Sequence, residues 1–526
     1  MILLLYRTLP SPDPPIFTRG TSMQYLLGHD VGTSGNKAVL ITTDGQVVAS
    51  DVEPYPTHYP KPLHAEQDPE DMWRAVGVTT RRLLDKTGFQ PKDILAIAFS
   101  SQMVNAILLD RQAKPLRPAI SWLDGRAVEE ADMVMRKLGG AKIFALLVGV
   151  AITGKDLLPK YLWLKRNEPD LYDEAATIVD VSGYILHRAT GNLVYERSTA
   201  SVTGFLNLKD KTWNKTLMRF LGVDKAKFPE LVSSHERVGG LTKEASSATG
   251  LLEGTPVIAG AGDAMAVAVG SGAVLEGEGH LCLGTSGFVG IVTSKRKTGR
   301  QGIATIQSAD LGKLLLIGET ETCGACLKWA ARQLYQVEPG PTAYAHMDEI
   351  VAETEPGSGG LIFAPWMYGE RSPVADECVR ASFINLGANH SRSQMTRAIY
   401  EGVAYNLNWI LESIEKRFGL RPDPIRVIGG GAKGLPWLRI ISDVTGRTLE
   451  TVPYPRETAA VGAALLGAVG MGIYPSIEAL KQVVPTGQII EPASDPPQIY
   501  RELYEAFRRI YPSLCRVYHM LNEPQL

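Results

Sequence analysis

The sequence predicts an α/β protein made of two related but unlike halves closing on a ligand, and three observations carry that prediction. At 526 residues the chain is too long for one hydrophobic core, so two or three domains are expected. The loop His29-Asp30-Val31-Gly32-Thr33-Ser34-Gly35 has a second copy about half a chain later, Leu281-Cys282-Leu283-Gly284-Thr285-Ser286-Gly287. Both lie between apolar runs, but only the first carries an acid, because Cys282 stands where Asp30 does. Finally, the first copy opens a succession of strand-like segments, then a helix, then another strand, which is α/β order.

In chain order, residues 25–31 read as a short buried strand that delivers the Asp30 carboxylate onto a glycine-bounded turn. Glycines let a backbone approach a phosphate, the Thr33 and Ser34 hydroxyls can donate hydrogen bonds, and Asp30 can hold magnesium through water. A hairpin turn with an incidental acid is the alternative for this loop taken alone. Residues 36–42 and 46–51 read as two further strands joined by the tight turn Asp44-Gly45. Asp68-Pro69-Glu70-Asp71 is a helix start, with a capping acid, proline at the first position and acids facing the helix dipole; the helix runs to about Thr87. A strand at 94–100 follows. Three antiparallel strands, then helix and strand, describe a ribonuclease H-like unit, the half-unit of actin-, hexokinase- and Hsp70-type folds.

The 94–100 strand ends at Ser101-Gln102-Met103-Val104-Asn105. Ligands in open α/β sheets sit beyond such carboxyl ends, so these side chains are candidates for holding substrate hydroxyls, with an ordinary loop as the alternative. Trp122, Asp124 and Arg126 offer an aromatic platform with a charge pair, which serves equally well as a buried structural ion pair. Residues 159–169 read as an amphipathic packing helix. Asp263, within Gly260-Ala261-Gly262-Asp263-Ala264-Met265-Ala266, is the one charge in a long apolar stretch. Desolvation there would raise its pKa toward that of a useful base; a helix cap is the even alternative. Glycine and valine crowding over 270–277 predicts a hinge and domain boundary.

The second half opens with strands around Leu281 and Val289 and passes through the turn-rich Gly369-Glu370-Arg371-Ser372-Pro373. A long helix at about 393–418 leads to a strand at 425–428 and then to Gly429-Gly430-Gly431-Ala432-Lys433-Gly434. That glycine turn between strand and helix can receive phosphate on its N–H groups.

A net charge of −2, spread without runs, leaves no footprint for nucleic acid or an anionic membrane, so the partner is a small molecule. Five cysteines in so long a chain make no disulfide framework, which favours a reducing, cytoplasmic compartment. Cys323 and Cys326 form a lone CxxC with no second ligand pair, so neither zinc nor redox work is expected of them. The apolar stretches at 143–152 and 259–269 are too short, or interrupted by Asp263, to span a membrane. Residues 1–22, an apolar start followed by Pro10, Pro12, Pro14 and Pro15, read as a disordered extension with Met23 as an alternative start.

Two rival motifs need weighing. Gly149 to Lys155 nearly matches a P-loop, but Asp156 stands where a Ser or Thr must ligate magnesium. Gly429-x-Gly431-x-x-Gly434, with Glu450 near the spacing of a ribose-binding acid, is a formal dinucleotide fingerprint and makes an NAD-dependent oxidoreductase the second function class. Against it, the motif lies deep in the second half, and the duplicated Gly-Thr-Ser-Gly loops have no role in dinucleotide binding.

Seven ordered motifs between about 23 and 514 resemble the FGGY family of carbohydrate kinases. They are Asp30-x-Gly32-Thr33-Ser34-x-x-Lys37, Gln67-Asp68-Pro69-Glu70-Asp71, Pro159-Lys160-x-Leu162-Trp163, Gly262-Asp263, Gly284-Thr285-Ser286-Gly287, Gly369-Glu370-Arg371-Ser372-Pro373 and Gly429-Gly430-Gly431-Ala432-Lys433. The resemblance implies two ribonuclease H-like domains with an ATP cleft between them: a sugar-binding domain at 23–270, a nucleotide-binding domain at 271–515, and a tail at 516–526. It implies ATP-dependent phosphorylation of a sugar hydroxyl, D-xylulose to D-xylulose 5-phosphate above all, with ribulose, erythritol, glycerol and gluconate as alternative acceptors. ATP and Mg2+ are the implied cofactors. Asp263 resembles the catalytic base and, with Asp30, the metal- and substrate-facing carboxylates. Gln102, Met103, Val104 and Asn105 correspond to sugar contacts. Thr33, Ser34, Lys37, Gly284, Thr285, Ser286, Gly287, Gly430, Gly431, Ala432 and Lys433 correspond to the nucleotide-binding set. One departure matters: Val104-Asn105 replaces a His-Gly pair of the D-xylulose-phosphorylating branch, removing a hydroxyl partner for which Asn105 can substitute, so a related ketose or polyol stays open. The implied partner is a small sugar or polyol, without nucleic acid or membrane; homodimerisation is left open.

Overall fold

The computed structural model describes residues 24–140, 152–297 and 301–522. The 1–22 extension, nearly all of the 143–152 run and the first residues of the near-P-loop lie outside them.

Strands β1 (Tyr25–Val31), β2 (Gly35–Thr42) and β3 (Val47–Pro54) form an antiparallel meander. Gly45, at φ 89°, supplies the left-handed turn between β2 and β3. Helix α1 (Pro69–Thr87) begins as the sequence predicts: the Asp68 carboxylate accepts the Glu70 N–H at 2.9 Å, and Gly88 closes the helix in the left-handed region. Its Met72, Trp73, Val76 and Leu83 are buried in one cluster with Leu27, Ala38 and Leu40 of the sheet. Strand β4 (Ile94–Ser101) joins parallel to β1.

Helix α2 (Leu157–Asn167) follows in a smaller layer, where Tyr161, Phe205, Trp213 and Phe228 stack around one another. Seven of its first eight residues, Lys160 included, are buried, so it is a core helix rather than the amphipathic one its sequence suggests. Its polar residues that do reach solvent cluster at the C-terminal turn. Helix α3 (Val181–Thr190), strands β5 (Arg237–Gly240) and β6 (Pro256–Gly262) and helix α4 (Asp263–Ser271) complete the first domain, whose sheet runs β5-β6-β4-β1-β2-β3.

The second domain repeats this plan. Strands β7 (Gly279–Leu283), β8 (Gly287–Thr293), β9 (Ile303–Gln307) and β10 (Leu314–Thr320) are antiparallel neighbours. Helices α5 (Gly324–Gln333) and α6 (Arg392–Phe418) lead to strand β11 (Ile425–Ile428), parallel to β7. Helix α7 (Leu435–Thr445), strand β12 (Leu449–Thr451), helix α8 (Thr458–Gly470), strand β13 (Ile489–Ile490) and helix α9 (Gln498–Asn522) follow, giving the sheet β9-β10-β8-β7-β11-β12-β13. Each sheet thus holds an antiparallel run whose first strand is flanked on its far side by two parallel strands, the ribonuclease H-like order, with β10 in the second sheet lying between β8 and β9.

The halves interlock through α4 and α8. A Cβ on Gly270 would lie 1.9 Å from the Thr458 carbonyl oxygen, and one on Gly462 would lie 1.9 Å from that of Ala266. Gly28 of β1 likewise meets the Ala460 carbonyl at 2.0 Å. Glycine is required there for close approach: Gly270, the first residue of the 270–277 stretch, is helical and packed, and the left-handed turns within that stretch fall at Gly272 and Gly277. Of the tail expected at 516–526, residues 516–522 continue helix α9 and pack on the second domain, with the Tyr518 hydroxyl 2.8 Å from that of Ser382 and the His519 imidazole 2.9 Å from the Asp376 carboxylate. No helix among the described residues is long and apolar enough to cross a membrane.

Candidate active site

Strands β1, β4 and β6 are parallel neighbours, Asp30 paired with Ser100 and Ser101 with Gly262, so their carboxyl ends converge at one edge. That register brings Asp30, the 102–105 loop and Asp263 together. Asp30 accepts the Ser100 hydroxyl at 3.2 Å and lies 4.0 Å from the Lys37 ammonium, its cross-strand partner on β2. Lys37 also donates to the Arg456 carbonyl at 2.6 Å, reaching the segment that leads into α8.

Asp263 is the first residue of α4, behind Gly262 as the cap, and its carboxylate accepts the Ala264 N–H at 2.7 Å. Burial pushes its pKa up to about 7, and the neighbouring Asp30 charge adds to the rise. Asp30 is itself raised by burial, with Lys37 and Ser100 pulling the other way. Two desolvated carboxylates, one raised by the other's charge, form a hard-oxygen donor set suited to a divalent cation.

Across the cleft, the twin turn 284–287 is fastened to the start of α5: the Gly324 N–H donates to the Gly284 carbonyl at 2.8 Å and that of Ala325 to Thr285 at 2.9 Å. Thr285 and Ser286 are exposed, with the Lys328 ammonium 2.9 Å from the Thr285 hydroxyl. Gly429, at φ 86°, folds the end of β11 against Leu283, where a Cβ would lie 2.8 Å from the Leu283 backbone. The 430–433 turn therefore adjoins the 284–287 turn at the same edge of the second sheet. Gly430 and Lys433 are exposed, Gly431 is partly so, and Ala432 is buried. Cys282, the counterpart of Asp30, is pushed up to about 12 by burial and then by the Asp263 charge, so this edge carries a neutral thiol where the first carries a carboxyl group.

On the other side of Asp30, the Gln102 N–H caps β1 through the Val31 carbonyl at 2.9 Å, and the Gln102 amide donates to the Gln67 carboxamide oxygen at 2.8 Å. Gln67 in turn donates to the Thr33 carbonyl at 2.7 Å, and the Trp122 indole to the Thr33 hydroxyl at 2.8 Å. The sugar-loop candidates and the phosphate-turn candidates are thereby one hydrogen-bonded unit. Ser34 is exposed at its tip. Met103 sits directly against Gly262, where a Cβ would be 2.4 Å from its sulfur. Val104 has φ +64° and packs against the cluster of Leu158, Tyr161 and Phe205. Asn105 donates to the Met103 carbonyl at 2.9 Å, while the side-chain oxygens of Gln102 and Asn105 are buried without a donor among the described residues.

Residues 25–270 match the model of the N-terminal domain of the FGGY family of carbohydrate kinases, and residues 279–471 match that of its C-terminal domain. The chain belongs to the FGGY family. It is an ATP-dependent carbohydrate kinase, a phosphotransferase with an alcohol group as acceptor. It is similar to the xylulose kinase of Staphylococcus xylosus, 30% identical over 93% of this chain and 100% of the relative, and to the gluconokinase of Bacillus subtilis (strain 168), 29% identical over 92% and 94%. A ligand-bound xylulose kinase from Lactobacillus acidophilus superposes with a TM-score of 0.87 at 26% identity, covering 95% of this chain and 100% of that one.

In this FGGY chain the dinucleotide alternative is overturned. Its fingerprint follows β11, a strand inside a mixed ribonuclease H-like sheet, and Glu450 is held by Arg426 at 3.0 Å rather than available to a ribose. Asp124 and Arg126 form the structural ion pair: the guanidinium bonds both Asp124 oxygens at 2.9 Å, reaches Glu66 at 2.6 Å and lies 4.8 Å over the Trp163 ring. Cys323 and Cys326 are buried beneath the 284–287 turn, and burial holds both thiols protonated. Sequence reasoning gave no role to Ser100, nor to Glu319, whose charge helps raise Asp263 and which binds Arg371 at 2.6 Å. Glu319 ends β10 in no motif; the neighbouring Glu370-Arg371 signature was the only signal pointing at it.

Proposed function

We propose that this kinase transfers the terminal phosphoryl group of ATP to a hydroxyl of D-xylulose, giving D-xylulose 5-phosphate, with Asp263 as the general base. The observation that carries this is the position of Asp263: a carboxylate with its pKa near 7, between the 102–105 loop and the two glycine turns of the other domain. Full-length similarity to several xylulose kinases supports the acceptor.

Phosphoryl transfer passes through a loose transition state, so positioning and charge neutralisation dominate. Asp263 orients the attacking hydroxyl and takes its proton late, and a pKa close to the working pH suits it to both duties. The buried oxygens of Gln102 and Asn105 accept from the sugar's hydroxyls. Thr285, Ser286 and the N–H groups of 430–433 hold the phosphates, and Lys37 lies between the two edges. Asp30 and Asp263 would hold Mg2+, which when bound supplies positive charge against the phosphate oxygens.

Val104 in place of the histidine of the D-xylulose-phosphorylating branch favours a second reading, in which a related ketose, polyol or sugar acid is the acceptor. A coupled ADP-release screen over D-xylulose, L- and D-ribulose, glycerol, erythritol and gluconate decides between them: D-xylulose is expected to give the highest kcat/KM, and a preference of about tenfold or more for another acceptor would replace it.

A further inference from the structure

We propose that Lys160 is the positioning residue of the sugar loop: its ammonium holds the Val104 carbonyl and so keeps the strained 102–105 turn shaped to receive the acceptor. This rests on reading that loop as the sugar site.

Lys160 lies in the first half of α2 and is 0% exposed. Its Nζ donates to the Ser121 carbonyl at 2.8 Å and to the Val104 carbonyl at 3.3 Å. Its hydrogen-bond partners among the described residues are backbone carbonyls rather than carboxylates. Asp124 and Asp156 face it from farther off, with Arg126 and Lys155 opposing them, and burial is the largest influence, bringing it down to about 7. Both carboxylates are engaged elsewhere, Asp124 by Arg126 and the Ala65 N–H, Asp156 by Thr153. A lysine needed only to fill this space would be better replaced by an apolar side chain, because an ammonium without a counter-ion is costly to bury.

What it holds explains the arrangement. Val104 is β-branched yet adopts φ +64°, a conformation such residues avoid and keep only when their surroundings impose it. The loop is pinned at successive points: Gln102 N–H on the Val31 carbonyl, Asn105 on the Met103 carbonyl, and Lys160 on the Val104 carbonyl. The same ammonium binds Ser121, next to Trp122, whose indole holds Thr33. Lys160 therefore ties the sugar loop to the phosphate turn by way of Ser121 and Trp122.

The test is a double-mutant cycle on acceptor KM. Lys160→Met keeps the volume and removes the donor; it is expected to raise the acceptor KM about tenfold while leaving the ATP KM within about twofold. Glycine adopts the left-handed turn unaided, so in a Val104→Gly background the Lys160→Met penalty should shrink below about threefold. A general packing defect would give the same penalty in both backgrounds, and that result overturns the proposal. If Lys160→Met does not fold, Lys160→Leu, which also removes the donor, is read in the same cycle. Asn105→Ala separates the two levels: an acceptor KM raised by Asn105→Ala but untouched by either Lys160 variant refutes the clamp alone, whereas no response to Asn105→Ala refutes the sugar-loop reading and the clamp with it.

Discussion

On the proposed mechanism, the chemistry of this kinase turns on where a single carboxylate is allowed to ionise. Asp263 is raised to about 7 by burial and by Asp30, so between its unfolded value near 3.8 and about 7 the folded chain holds a proton that the unfolded chain releases. Stability from this group is therefore present at acidic pH and lost as pH rises through 7, leaving an ionised, poorly solvated carboxylate at pH 8. Asp263→Asn should accordingly raise unfolding stability at pH 8 by about 2 kcal/mol, with the gain vanishing toward pH 4, as read from denaturant melts at the two pH values. Equal effects at both would mean that the carboxylate is not raised. The buried carboxylate was legible in the sequence because a lone acid in an apolar stretch is desolvated on folding, though the same pattern fits a helix cap equally well. Its two modulators were not: Asp30 and Glu319 reach it through strand register and domain contact, 233 and 56 residues away in sequence, and no local pattern encodes such distances.

Elements were legible where local chemistry settles them. The Asp68-Pro69 start of α1 acts within one turn of chain. Elements were less legible where one local signal has two tertiary uses. Glycine marks both hinges and close crossings, and only the partner helix reveals that Gly270 is a crossing. Lysines and arginines in α2 suggest a solvated face, yet Lys160 is buried against carbonyls that belong to other segments. The crossing makes a clear prediction: Gly270→Ala or Gly462→Ala, each placing a Cβ within 1.9 Å of a carbonyl oxygen, should destabilise by about 2–4 kcal/mol in chemical denaturation. Gly340→Ala, whose added Cβ meets nothing within 4 Å, should stay within about 0.5 kcal/mol. Equal tolerance at all three sites would remove the crossing from the account.

At the scale of the whole molecule, the duplicated loops announce two homologous halves but not how they interlock. Helix α8 belongs by sequence to the second half, yet it packs on β1 and β4 of the first and brings Arg456 to the Lys37 ammonium. The nucleotide edge and the sugar edge are thus joined through one helix pair, and a ligand spanning both should stabilise the chain as a unit. ATP with magnesium at about 100 times its Kd should raise the apparent stability by about 2.7 kcal/mol, measured as a shift in thermal melting, and NAD should leave the melt unchanged. Protection by NAD alone would contradict the assignment of the glycine turns.

The most direct test of the central claim is turnover of Asp263→Asn under saturating acceptor and ATP-magnesium, followed by ADP release in a variant shown to be folded. Loss of the base predicts a fall in kcat of about 10²–10⁴-fold with ATP binding retained. Turnover within about tenfold of the wild type would show that the proton leaves by another route and that Asp263 is not the base.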